Sequence, residues 1–409
     1  MDLGLFYFAD DAAAPDAAAP NTAAPNTAAP GGRAPHGDAP DGTAPRGGVT
    51  DRYRLLLEGA RFADRAGFAA VWTPERHFHR FGGLYPNPAV TGAAIAACTE
   101  RIAIRAGSVV APLHHVLRIA EEWAVVDGLS GGRAGLSLAS GWNPADFVLR
   151  PEGFEGRDRA AVEAVDTLRR LWRGEPLPAA TADGPEGPRI FPLPVNGPLP
   201  MWLTSAGNPG TFRAAGRAGV GVLTHLANQD LAGLALRTAE YRHEYAAAGH
   251  PGRGRVVLMV HTLLGEDRAE VEARARGPLE DYLVSAMTLF GPKESAGWSP
   301  ARTRAVVRPA LRRYLHQGCG LFGTVARAEE LVEEYRRAGV DELACLVDFG
   351  VPAAEVLDGL EHLAELGRRV ARPAPGRGAT VPDAGPRPAP GAVPAHSSSP
   401  LPEKAVQSP

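Results

Sequence analysis

Three observations predict the fold class. Apolar runs of strand length recur eight times, stretches with helical spacing separate them, and polar residues gather where each run stops. Together they predict an α/β chain closed into a TIM-type (β/α)8 barrel, with a disordered Ala/Pro-rich insert after strand 1 and a disordered C-terminal tail. An open doubly wound sheet is the competing arrangement, because strand alternation alone does not dictate closure.

The eight runs are "LGLFYF", "FAAVWT", "IAIRAGSVV", "RAGLSLAS", "PMWLTSA", "VGVLTH", "VVLMVHTLL" and "ELACLVDF". Their near-continuous apolarity suits strands covered on both faces. The first helical stretch carries Tyr53, Leu56, Leu57, Ala60 and Ala63 on one face and closes at Gly67. Others are expected near 87–98, 115–127, 158–173, 230–248, 326–338 and 352–369, with an extra helical excursion between Glu266 and Gly323.

Two segments stand apart from this pattern. From Ala12 to Arg46 proline recurs every fifth residue, from Pro15 to Pro45, among alanines and polar residues. Such a stretch has too few large apolar side chains to offset the entropy of ordering. Residues 10–48 are therefore expected to form a disordered insert, and 372–409 a disordered tail, leaving one barrel domain within 1–371.

Composition excludes several functions. A net charge of -3 over 409 residues offers no basic surface for nucleic acid and no polybasic membrane anchor. No run approaches the length of a membrane span, and the N-terminus lacks the marks of an export signal. Cys98, Cys319 and Cys345 are too far apart for a paired-thiol site, and a reducing cytoplasm is the expected setting.

Barrel chemistry gathers past the carboxyl ends of the strands. The second exit, "WTPERHFHRFGGLYPNP", places Glu75, His77 and His79 there. His77 and His79 form an H-x-H pair able to hold zinc in a hydrolase, with His225, His261 and Asp348 as further ligands. His114 and His115 precede a helix, where capping or packing would employ them. The fifth exit, "TSAGNPGTF", brings Gly207, Asn208, Gly210 and Thr211 to a helix start, where exposed amides and the helix dipole favour a phosphate. A tight turn is the plainer reading of the same residues.

These blocks in order, "WTPERHF", "YPNPAV", "IAIRAGSVVAPLHHVLRIAEEWAVVDGLSGGR", "SGWN", "LPMWLTSAGNPGTF", "LTHL" and "DELACLVDFG", resemble the luciferase-like flavin-dependent monooxygenases. The similarity is greatest to the subgroup associated with peptide and polyketide biosynthesis. It implies a barrel that binds reduced FMN, supplied by a separate flavin reductase, and transfers one oxygen atom from O2 to an organic substrate. That substrate would be a natural-product intermediate, free or held by a carrier protein. The resemblance also implies a non-proline cis peptide at Gly107–Ser108, beneath the flavin ring, and a phosphate loop at Gly207, Asn208, Gly210 and Thr211. Ser140 falls where some members carry an arginine for the phosphate. Glu75 and His77 match a Glu-x-His pair near the flavin, which makes His77 the candidate acid or base and Glu75 its orienting partner. Alternatively, Glu75 and Arg76 would simply pair at the rim. Phe6, Phe8, Trp72 and Trp142 would wall the site from water. Dimers are common in such a family, so a homodimer is allowed. A deazaflavin-dependent oxidoreductase on the same barrel remains the alternative activity.

Overall fold

The computed structural model describes residues 1–8, 53–177, 187–195, 197–290 and 297–371; the expected insert and tail lie outside these described residues. Among the described residues nine parallel strands form the sheet: β1 (Asp2–Phe6), β2 (Ala70–Thr73), β3 (Ala103–Val110), β4 (Ala134–Ala139), β5 (Met201–Ser205), β6 (Gly221–His225), β7 (Val256–Leu264), β8 (Gly320–Gly323) and β9 (Glu342–Leu346). Each of β1 to β6 pairs with the next, β6 with β7, β7 with β9, and β9 with β1. Eight strands therefore close a barrel, and the open-sheet alternative is excluded.

The eight closing strands are the eight apolar runs. The remaining strand, β8, is absent from the sequence prediction, and its position explains why. β7 is nine residues long; His261 and the residues before it pair with β9, while His261–Leu264 pair with β8. β8 is thus a four-residue addition, "GLFG", to the overhanging end of β7. Two of its residues are glycines, which leave no side-chain alternation to read.

Among the described residues ten α-helices surround the strands: α1 (Arg54–Ala66), α2 (Pro88–Ala96), α3 (Val116–Ser130), α4 (Arg157–Trp172), α5 (Pro209–Ala218), α6 (Leu231–Ala247), α7 (Arg268–Phe290), α8 (Pro300–His316), α9 (Val325–Arg337) and α10 (Ala353–Val370). α1 buries Leu55, Leu56, Gly59, Ala60 and Ala63; of the expected stripe Leu56, Ala60 and Ala63 are buried, while Tyr53 and Leu57 are half-buried. Gly59 is needed there, since a Cβ would meet the Tyr7 hydroxyl at 2.3 Å. α7 and α8 form the helical excursion before β8.

Charge closes one end of the barrel. Glu342, fully buried at the start of β9, accepts from Arg105 at 2.8 Å, Arg255 at 2.8 Å and the Trp72 indole at 3.2 Å. The Arg105 guanidinium lies 4.9 Å from the Trp72 ring and 4.6 Å from that of Trp202. Trp72 is therefore part of the barrel floor and not a wall of the mouth. Ligand chemistry is left to the opposite end, where the strands exit.

Candidate active site at the strand exits

Glu75 organises the mouth. It leaves β2 on the segment after Thr73 and turns inward, with its side chain fully buried. Oε1 meets Nε2 of His77 at 2.8 Å and Nε2 of His114 at 2.5 Å, while Oε2 accepts from the Val110 amide at 2.7 Å. Burial pushes the carboxyl pKa up, but the bonds from His114, His77 and Val110 outweigh it and hold Glu75 below its ordinary value. For His114 burial disfavours the charged form, yet the hydrogen bond and charge of Glu75 raise its pKa overall. The pair thus stabilises an imidazolium beside a carboxylate inside the protein.

His77 and Glu75 are brought together, two residues apart on a chain that has left the strand. His114 is the member that sequence reasoning missed. Only one of the adjacent histidines caps the helix: His115 accepts from the Leu117 amide at 3.3 Å at the start of α3. A 3-10 turn, Ala111–Leu113, redirects His114 to Glu75. The available signal was the strand exit itself, since "APLHH" directly follows β3.

The alternative pairing of Glu75 with Arg76 does not occur. Arg76 instead forms a buried ion pair with Asp146, which lies on the 3-10 segment Pro144–Leu149 after β4. Neither do the zinc candidates converge. His79 accepts the Phe81 amide at 3.0 Å, and Asp348 accepts from the Phe8 amide at 2.6 Å and the Tyr85 hydroxyl at 2.9 Å. Burial lowers the pKa of His225 to about 4, and that of His261 to about 3 with His225 adding to the effect. Among the described residues no group of three His, Cys, Asp or Glu side chains could hold a metal ion.

Gly107 and Ser108 lie within β3 and are joined by a cis peptide bond, at a shift in register against β4. A Cβ on Gly107 would meet the Phe6 ring at 2.7 Å, so glycine alone allows this approach. The Ser108 hydroxyl is hydrogen-bonded to that of Thr204, which also meets Ser137 at 2.7 Å. Three hydroxyls from β3, β4 and β5 therefore cluster directly before the glycine loop. Half-buried Ser140 follows β4, and the next residue, Gly141, has φ 75°.

The loop from Ser205 to Thr211 is built around its amides. Ser205 Oγ accepts from Gly207 N at 3.2 Å and Asn208 N at 3.0 Å; Asn208 Oδ1 accepts from Gly210 N at 2.8 Å and caps α5. Thr211, half-buried, opens the helical ladder by donating to Asn208 O at 3.2 Å. Gly207 has φ 104°, which side chains rarely adopt, and a Cβ there would meet Gln229 at 3.3 Å. Gln229 is itself held by Thr224 Oγ1 at 2.9 Å, and Thr224 donates to Ser205 O at 2.7 Å. Amides at a helix start that donate to side-chain oxygens can donate to an anion's oxygens in their place. The loop thus fits a phosphate group, with hydroxyls beneath it for a polar cofactor chain. A cavity of about 450 Å³ opens beside Trp202, Gly221 and Arg255 and shares none of these residues.

Of the proposed walls, Phe6 is buried, Phe8 packs on Phe81 with ring centroids 5.1 Å apart, and Trp142 is 44 % exposed.

Known proteins similar to the chain identify its family. The chain is 22% identical over 329 residues to the oxygenase component of flavin-dependent trigonelline monooxygenase from Acinetobacter baylyi, covering 76% of this chain and 88% of that protein. It is 27% identical over 303 residues to 4-hydroxyprotoasukamycin monooxygenase from Streptomyces nodosus subsp. asukaensis, covering 69% and 76%. Among solved structures, the oxygenating constituent of 3,6-diketocamphane monooxygenase from Pseudomonas putida, in complex with FMN, superposes with a TM-score of 0.63. It is 18% identical and covers 80% of this chain and 95% of that one, a likeness of fold. Residues 28–342 match the luciferase-like monooxygenase profile, and the chain belongs to that family of flavin-dependent enzymes.

Proposed function

We propose that this protein is the oxygenase of a two-component system, using reduced FMN from a separate reductase to place one oxygen atom of O2 into a natural-product intermediate. The observation that carries the reading is the buried Glu75 carboxylate, bonded to His77, His114 and Val110 at the mouth of a barrel of this family. Reduced FMN would supply the reaction with oxygen.

The chain's own residues would do the rest. Gly207, Asn208, Gly210 and Thr211 would hold the phosphate, whose oxygens replace Ser205 Oγ and Asn208 Oδ1 as acceptors. Gly107 lets Phe6 pack against the strand and would leave its backbone to face the ring, while Ser108 and Ser140 offer hydroxyls beside it. Glu75 would fix the His77 ring through Nε2, so that His77 can move a proton at the reacting group. Phe8 and Trp142 would exclude water from the transfer. The relative named as an oxygenase component supports a reductase partner, and the relative named for protoasukamycin supports a natural-product substrate. Carrier-bound delivery, a homodimer and a cytoplasmic location belong to the same proposal; no described helix is long and apolar enough to cross a membrane.

Anaerobic titration with reduced FMN, reduced riboflavin and reduced coenzyme F420 tests the cofactor. Tightest binding to FMN is expected, with riboflavin weaker through loss of the phosphate. A preference for F420 would replace this reading with the hydride-transferring alternative.

A further inference from the structure

Arg76 follows Glu75 in the chain, yet its side chain stays outside the carboxylate-imidazole cluster. The residue is 4 % exposed, and Nη1 is paired with Asp146. Asn143 Nδ2 donates to the other oxygen of Asp146 at 2.8 Å, which fixes the carboxylate in place. The Trp142 ring covers the guanidinium at 5.1 Å. Two polar atoms remain: Nε and Nη2 are buried and have no hydrogen-bond partner among the described residues.

In a guanidinium, Nε–H and one Nη2–H point the same way, side by side, as a two-pronged donor edge. A buried charged donor left unpaired is costly, and arginine cannot relieve the cost by losing its proton. Asp146 is satisfied twice over, while no described residue supplies an acceptor to this edge. An acceptor for this edge can come from a bound molecule.

Charge balance selects that molecule's chemistry. Asp146 already neutralises Arg76. An anion on the open edge would add an unmatched buried charge. A neutral carbonyl oxygen, with two lone pairs, satisfies both N–H groups without one.

We propose that the Nε–Nη2 edge of Arg76 is a substrate-recognition element at the mouth, and that it takes the carbonyl oxygen of a neutral organic substrate such as a ketone. The inference rests on the monooxygenase reading above and adds the substrate's chemical class. Arg76 is then a specificity-determining residue, with Asp146 positioning it.

The test uses the full chain, with and without FMN, and three matched probes: acetophenone, benzoate and ethylbenzene, followed by ligand-observed NMR. Arg76→Lys keeps a cation opposite Asp146 but has no two-pronged edge, whereas Arg76→Met removes the charge; melting curves show whether each folds. Acetophenone should bind the unaltered protein more tightly than benzoate and lose at least about tenfold in affinity in Arg76→Lys, as expected when a charged double bond is lost. Ethylbenzene and FMN should bind both proteins equally. Unchanged acetophenone affinity in Arg76→Lys overturns the proposal, and tighter binding of benzoate overturns the neutral class. A parallel loss of FMN affinity would assign the edge to the flavin and also overturn it. If the unaltered protein binds no FMN, the functional reading fails, while the flavin-free comparison still reports on Arg76.

Discussion

Glu75→Gln separates a coupled carboxylate-imidazole site from ordinary polar packing. The substitution keeps the volume and one carbonyl oxygen but removes the charge shared by His77, His114 and the Val110 amide. Hydrogen bonds to a charged group contribute about 1.5–3 kcal/mol each, and glutamine retains one acceptor, so the net loss should be on the order of 2–4 kcal/mol. Its pH dependence is the diagnostic part. The Glu75 pKa is depressed in the folded protein, so its contribution is present above the ordinary carboxylate value of 4.5 and is lost as pH falls through the folded value. The His114 pKa is raised, so its contribution is complete below the ordinary imidazole value of 6.5 and is lost as pH rises through the folded value. Both contributions operate together between 4.5 and 6.5. Thermal melts of both proteins at about pH 5.5 and about pH 8.5 should show the larger gap at the lower value. At roughly 2–4 °C per kcal/mol for a large domain, that gap is on the order of 5–15 °C. An equal gap at both pH values would refute the coupling between Glu75 and His114.

Three further outcomes are expected. His77→Asn should retain FMN binding yet lower product per flavin oxidised by roughly 100-fold, with hydrogen peroxide released instead, while His79→Asn has a smaller effect; unchanged coupling removes His77 from the chemistry. Gly210→Asp sets a negative charge at the loop and should weaken FMN by about 1–4 kcal/mol, with riboflavin little affected; equal losses for both would move the phosphate elsewhere. Replacing residues 10–48 by a short Gly-Ser linker should alter stability by about 1 kcal/mol or less, because the entropy of loop closure grows slowly with length. A melting point lowered by more than about 10 °C would show that this segment is packed.

The strands were legible because burial on both faces leaves a local mark. β1 to β7 and β9 each coincide with an apolar run, and parallel strands divided by helices have few ways to close. The loop after β5 was legible for a related reason: Gly207 at φ 104° and Asn208 capping α5 ahead of Pro209 follow from neighbouring residues. β8 was not legible, since what makes it a strand is the overhang of β7, set by barrel geometry and not by "GLFG".

The candidate site divides in the same way. The sequence by itself determined that a carboxylate and imidazoles leave β2 together, and Glu75 and His77 are two positions apart. It was silent on partners supplied by other strands. His114 reaches Glu75 across 39 positions, Asp146 reaches Arg76 across 70, and Thr204 reaches Ser108 across 96. In each case the two residues belong to different strands or to the segments that follow them. Chain neighbours share one set of backbone angles, so their relation can be read locally. Residues on separate strands meet only through the register of a closed sheet, and that closure assigned His114 to Glu75 and drew Arg76 away to Asp146.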